Sequence, residues 1–366
     1  MANARLQVFI GTKAQYIKTA PLLRLMDAKG VSYRLIDSGQ HAELAQTLRA
    51  ELGVRDPDFI LGDGTDVTTI AGALAWSARI AARLGGSRRK VRAELFGGDG
   101  GICIVHGDTP TTFLSCLLAR RAGLRVAHLE AGLRSNSIFH PFPEELIRLA
   151  VMRVSNVLFA PTPDAVENLA RLRIKGRVVP LSANTSVEAV RYAQESEPAP
   201  TVGPVIVTMH RVENVHRRDR VVQFVDTVLR IAAERPVRFV VHGPTQHAID
   251  RAGLVPKLEA AGVDLRTLAP HGEFVRWLSE APFVIIDGGS IQEECAYLGV
   301  PTLVWRDKTE RPHGVGHNVV VSHYDPAVVD SFLAAPEAYR RAPELPELSP
   351  SEQILDVLLE MLDAER

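Results

Sequence analysis

Cysteine is scarce in this chain of 366 residues, which has only Cys103, Cys116 and Cys295. They are odd in number, scattered and set among apolar residues. That excludes a disulfide or zinc framework and predicts reduced core thiols. Net charge is nearly absent too, −1 from 42 basic and 43 acidic residues, so neither a nucleic-acid nor a membrane surface is indicated. No apolar run reaches the roughly 18 residues of a membrane span. The opening stretch "MANARLQVFIGTKAQ" holds no signal-peptide core, and a cytoplasmic chain is expected. The twelve histidines form no ligand set: His313 and His317 are four apart, but the "GVG" between them argues against an aligning helix. No metal is expected. Neither half carries G-x-G-x-x-G after its first strand, so a nicotinamide cofactor is not supported, and no other cofactor is expected.

What the chain does have is a repeating alternation. Apolar runs of four to six residues alternate with helical stretches in both halves. The first half offers strands at "RLQVFIG", "SYRLIDSG", "GICIVHGD", "LRVAHLEAG", "NVLFAPT" and "GRVVPLS", with helices at 17–29, 41–52, 66–85, 110–122, 143–154 and 163–172. The second offers "GPVIVTMH", "RFVVHG", "LRTLAP", "PFVIIDGG" and "PTLVW". Continuous apolar strands separated by helices predict parallel sheets covered on both faces. We expect two Rossmann-like, doubly wound α/β domains facing across a cleft, 1–183 and 184–349. A last helix near 350–366 should return to the first domain. The polar, proline-rich "QESEPAPTVGP" at 194–204 reads as an exposed connection.

Ligands of such sheets bind beyond the carboxyl ends of the strands. Two acids sit there, Asp108 closing "ICIVHGD" and Glu130 closing "VAHLE", with Glu144 and Glu145 following in "PFPEE". Each has a bland reading. Asp108 could cap the helix at 110–122, and Glu144 and Glu145 could complement a helix dipole. Glu130, before a glycine turn, has no routine local job. Three phosphate-binding features accompany them. Gly288, Gly289 and Ser290 in "DGGSIQEE" can aim backbone N–H groups at an anion, although many such turns only permit close packing. "IGTKAQYIK" adds Lys13 and Lys18. His210 and Arg211, in "VTMHRVEN", suit a phosphate clamp as well as a solvated loop.

With "GTKAQYIK", "APLLR", "SGQH", "HGDTPTT", "HLEAGLRS", "PFPEE" with Arg148, "FAPT", "MHRVEN", "DGGSIQEE" and "RDKTERP" in order, the chain resembles the UDP-N-acetylglucosamine 2-epimerase family. The resemblance implies the two-domain glycosyltransferase-B fold, a UDP-sugar substrate and a homodimer. It implies elimination of UDP to a 2-acetamidoglucal and re-addition with C2 inverted. Asp108, Glu130, Glu144 and His210 fall on the catalytic positions, Glu145 being supportive. Arg211, Gly288, Gly289, Ser290, Glu294 and Phe274 fall on the UDP site. Lys13, Lys18, Gln40 and Arg134 become sugar or diphosphate contacts. Clustered carboxylates would also push one another's pKa apart, dividing the roles of donor and acceptor.

The chain departs from the family pattern at several points. Lys13 stands where arginine is usual, Val212 replaces a second arginine, and "DGGS" moves the serine that normally follows aspartate. His313, Gly243 and Ile147 replace glutamate and two asparagines, and Gln15 resembles a branch acting on diacetamido-glucuronate nucleotides. Three rivals stand beside the epimerase. A glycosyltransferase would gain little from three acids near the donor's C1 and C2. A hydrolysing epimerase differs only in the fate of the glycal. A sugar-nucleotide-binding regulator has no need of the acids.

Overall fold

A computed structural model of the chain describes residues 5–39, 42–62, 87–98, 100–135, 144–195, 203–345, 347 and 349–364, with residues 72, 75, 78 and 80. The chain forms two compact units, Met1–Ala189 with Glu347–Arg366, and Val190–Pro346. The division falls inside the helix Ser186–Glu195, past the 183/184 boundary expected from the "LSANTS" loop. Most of the 194–204 connection and of the helix expected at 66–85 lies outside the described residues. The four described within 66–85 are helical.

The first unit holds a parallel sheet in the order β3-β2-β1-β4-β5-β6-β7. Its strands are β1 (Leu6–Ile10), β2 (Tyr33–Asp37), β3 (Phe59–Ile60), β4 (Ile102–His106), β5 (Arg125–Leu129), β6 (Val157–Ala160) and β7 (Arg177–Pro180). Both faces are covered, which is why β1 is apolar almost throughout. Leu6, Val8 and Ile10 enter one core and Phe9 another, with Cys103 and Cys116. The first core also takes Ile354, Leu355, Leu358 and Leu362, so the last helix, Pro350–Asp363, does pack on this unit. Cys103, Cys116 and Cys295 are buried free thiols.

The second unit repeats the scheme as β10-β9-β8-β11-β12-β13. These are β8 (Val205–Thr208), β9 (Val237–Val240), β10 (Asp264–Arg266), β11 (Val284–Ile286), β12 (Thr302–Val304) and β13 (Val319–Val321). All are parallel. In both sheets the winding reverses beside the first strand, between β1 and β4 and between β8 and β11. The crevice outside such a reversal is where doubly wound sheets place ligands.

Two readings need correction, and three elements are added. The first helix starts at Lys13, not 17, because Thr12 and Gln15 form a reciprocal capping box. Asp108 is not the cap of the helix Pro110–Ala122: Thr109 is, its side chain accepting from the Thr112 amide. The helix Arg88–Phe96 and the short strands β3 and β13 are additions.

Candidate active site

At the first reversal, the tips of β4 and β5 lie side by side, joined by the Gly107 amide donating to the Leu129 carbonyl at 3.2 Å. Asp108 and Glu130 follow these tips directly. They do not stand as an unrelieved pair of like charges, because each has its own cation. Lys18 Nζ lies 2.9 and 3.0 Å from the two oxygens of Glu130. His106 Nε2 adds a contact of 2.9 Å. Arg148 binds Asp108 and, through its other nitrogen, Glu145. Arg134 closes the chain by donating to Glu145, which also meets the Ser135 amide at 3.4 Å. The expected mutual repulsion is thus met by separate cations, Lys18 on Glu130 and Arg148 on Asp108, the latter shared with Glu145. The side chain of Asp108 is 27% exposed, that of Glu130 6% and that of Glu145 0%, which marks Asp108 as the accessible carboxylate.

Glu130 carries a second mark. Its backbone sits in the left-handed region, φ 64, without being glycine. That conformation costs roughly 1–2 kcal/mol for a side chain of this kind and persists only where the surroundings impose it. Beneath the two acids lies His128, fully buried, its Nε2 donating to the Gly107 carbonyl at 2.9 Å. Burial pushes its pKa down to about 4 against the partial support of that carbonyl, so the ring is neutral.

Gln15 spans the reversal. Its carbonyl oxygen accepts from the amides of Gly11 and Thr12, and its amide donates to the His106 carbonyl and to the hydroxyls of Thr109 and Thr112. It is spent on joining the loops after β1 and β4, so it carries no argument about the sugar.

At the second reversal the acid is used differently. Asp287, 0% exposed, accepts from the amides of His210 at 3.0 Å and Arg211 at 2.9 Å, and from Asn214 Nδ2 at 2.9 Å. Burial would raise its pKa, but the adjacent His210 and these donors outweigh it and hold the carboxyl well below the usual range. His210 Nδ1 lies 3.1 Å from Asp287, and the His210 ring stacks on His242 with centroids 4.7 Å apart. A Cβ at Gly288 would fall 2.7 Å from His210 Cε1, so the displaced serine leaves room for this ring. Gly289 is likewise bounded by Arg311 and Glu310 of the "RDKTERP" loop, each 2.9 Å from a virtual Cβ. The helix Gly289–Leu298 starts at Gly288 without a side-chain cap bond, the kind of helix start that can face an anion.

Other expected residues fall as follows. Gln40 lies outside the described residues. Lys13 opens the first helix and borders a small crevice with Gly11, Thr12, Tyr16 and Asp37. Glu144 opens the helix Glu144–Val154 and is half-buried. Ser290 sits in the first turn after Gly289. Arg211 donates to Glu213 at 2.7 Å. Glu294 pairs with His271 at 3.1 Å, both buried. Phe274 is half-buried, edge-on to Trp277. His106, Asp287 and Asn214 were missed as site residues. His106 was visible only as a polar residue inside an apolar strand. Among the described residues, no cluster of three His, Cys, Asp or Glu side chains is arranged to hold a metal ion.

Comparison with known proteins adds a family to this geometry. The family model for UDP-N-acetylglucosamine 2-epimerase matches residues 24–345. The chain is 28% identical over 337 residues to the UDP-N-acetylglucosamine 2-epimerase of Methanocaldococcus jannaschii, covering 87% of this chain and 88% of that protein. It is also 28% identical over 343 residues to a UDP-2,3-diacetamido-2,3-dideoxy-D-glucuronate 2-epimerase of Pseudomonas aeruginosa, covering 89% and 91%. Among solved structures, the UDP-GlcNAc 2-epimerase of Neisseria meningitidis bound to UDP-GlcNAc superposes with a TM-score of 0.81 at 25% identity. That match covers 97% of this chain and 99% of the other.

Proposed function

The chain belongs to the UDP-N-acetylglucosamine 2-epimerase family, and we propose that it inverts C2 of UDP-N-acetylglucosamine or a close UDP-2-acetamido sugar. The observation that carries this reading is the pair Asp108 and Glu130 on adjacent strand tips, each paired with a cation, one of them in a strained backbone. The C2 hydrogen has no neighbouring carbonyl, so its acidity must come from positive charge developing at C1. In the forward step the C1–O bond breaks and its electron pair leaves with UDP. The C2 proton passes to a carboxylate and the C–H pair becomes the C1–C2 double bond of the glycal. In the return step UDP adds at C1 while a second acid delivers a proton to the other face of C2.

Asp108, Glu130 and Glu144 are the acid/base candidates. His210, Arg211 and the turn Gly288–Ser290 would hold the departing diphosphate through charge and the amides of the helix start. Glu294 and Phe274 are candidates for ribose and uracil contacts, and Lys13, Gln40 and Arg134 for sugar or diphosphate contacts. Lys18 is better placed as the counter-ion of Glu130 than as a substrate contact. We infer further a cytoplasmic homodimer feeding polysaccharide assembly. It needs no cofactor in this reading.

The test is incubation with UDP-N-acetylglucosamine, following anomeric protons and free UDP together. A new UDP-sugar with manno configuration and little free UDP supports the proposal. UDP and free sugar released in equal amounts would mean the hydrolysing reaction. No change in this substrate or in its diacetamido-uronate counterpart would sink it.

A further inference from the structure

One buried group near the acids has no place in the scheme above. His106 ends β4, is 3% exposed, and bonds on both sides of its ring. Nε2 lies 2.9 Å from Glu130 Oε2, and Nδ1 lies 3.2 Å from Thr19 Oγ1. Its carbonyl is held by Gln15 at 2.7 Å and by Thr112 at 2.9 Å. The order hydroxyl, imidazole, carboxylate is that of a nucleophilic triad, but Thr19 is 1% exposed and cannot meet a substrate. The hydroxyl can only orient the ring. Lys18 and Thr19 are consecutive on the helix Lys13–Ala28, so one turn supplies Glu130 with a direct cation and, through His106, an indirect anchor.

We infer that His106 is a positioning residue for Glu130, fixing the rotation of its carboxylate and helping to hold its left-handed backbone. Lys18 reaches both oxygens at nearly equal distance, 2.9 and 3.0 Å, and an ammonium tolerates rotation of a carboxylate beneath it. The imidazole is planar, locked at both nitrogens, and places a second donor on Oε2. Proton transfer at C2 depends on where a carboxylate oxygen stands to within a fraction of an ångström, so loss of this anchor should affect turnover more than binding.

The inference rests on the epimerase reading, and its test separates the two. In the full chain, His106→Leu should lower kcat by about 10- to 50-fold with KM within about twofold. His106→Gln, which can present an amide N–H near the former Nε2, should recover to within about fivefold of wild type. Thr19→Val, which removes only the contact to Nδ1, should lower kcat a few-fold. UDP affinity, measured by calorimetry, should be unchanged in all three, and far-UV dichroism with thermal melts reports that the first unit stays folded. If His106→Leu does not fold, the Gln and Val variants carry the test.

Wild-type kcat in His106→Leu, or a folded His106→Gln as impaired as the leucine variant, would overturn the inference. So would wild-type kcat in Thr19→Val. Should the wild type fail to epimerise any UDP-sugar, the functional reading falls while this inference is still read from the His106 ring nitrogens by NMR. A Nε2 resonance that moves in Glu130→Gln supports it, and one that does not move overturns it.

Discussion

The two sheets share a winding scheme and differ in what they do with an acid at the reversal. In the first unit, Asp108 and Glu130 keep side-chain cations, and Asp108 remains partly exposed. In the second, Asp287 is wholly buried and consumed by backbone amides, which pins the loop carrying His210 and Arg211 beside an uncapped helix start. The same topological position therefore carries a cation-paired acid in one unit and an acid bound by backbone amides in the other. The difference lies in the residues just past the strand. The helix after Asp287 starts at a glycine that makes no side-chain cap bond, whereas Thr109 caps the helix after Asp108 and leaves that carboxylate to Arg148.

This division of labour can be broken from either side. The largest effect should come from the acids: Asp108→Asn and Glu130→Gln should each lower turnover by at least ~10²-fold, the scale of a positioned acid or base. UDP affinity, read by calorimetry, should stay within about twofold. A large loss of UDP binding in either variant would mean that the two roles are not separated. From the other side, His210→Ala and Arg211→Ala should weaken UDP binding by roughly 1.5–3 kcal/mol, the worth of a charge-assisted contact. Unchanged UDP affinity in both would remove their assignment to the diphosphate.

Smaller effects sharpen the picture within the first unit. Glu145 lies between Arg134 and Arg148 with no exposure, so Glu145→Gln should cost about 2 kcal/mol of stability in denaturant melts. That is less than a fully isolated buried pair would lose, because Arg148 retains Asp108. Glu144→Gln, at the half-buried helix start, should spare stability and impair turnover instead. The reverse pattern would exchange the roles of the two glutamates.

The smallest effect concerns pH. His128 titrates at about 4 in the fold, below its ordinary 6.5, because burial disfavours the charged ring. The unfolded chain therefore binds the proton first. This contribution is complete above about pH 6.5 and is lost as pH falls from there towards 4. At pH 5.5 the loss is on the order of 1 kcal/mol. His128→Gln should flatten that part of the stability profile. An unchanged slope would show that another group drives it.

Much of this architecture was legible in the sequence because parallel strands buried on both faces must be apolar throughout. Runs such as "ICIV" and "FVII" have few other uses, and Gly or Asp at their ends marks the binding edge. The strands that escaped notice are those without such a run. Phe59–Ile60 has two residues, and Val319–Val321 stands inside a loop rich in histidine. The first helix begins four residues earlier than expected because the reciprocal Thr12–Gln15 box starts it directly after Gly11, with Pro21 accommodated inside it. At the site, residue types were readable and partnerships were not. Lys18 and Glu130 are 112 positions apart, and nothing in "GTKAQYIK" announces a salt bridge to "HLEAG". The positive φ of Glu130 was equally hidden, since sequence-level turn rules reserve that conformation for glycine or asparagine.

The central claim is that a carboxylate of the first unit breaks the C2–H bond of a UDP-sugar. It is tested most directly by running the wild type and Glu130→Gln with UDP-N-acetylglucosamine in heavy water and measuring deuterium at C2 of the recovered UDP-sugars. The account predicts deuterium in the wild-type manno epimer at every turnover and a fall of at least ~10²-fold in the rate of its appearance in Glu130→Gln. Epimer formed without deuterium at C2, or exchange undiminished in Glu130→Gln, would contradict it.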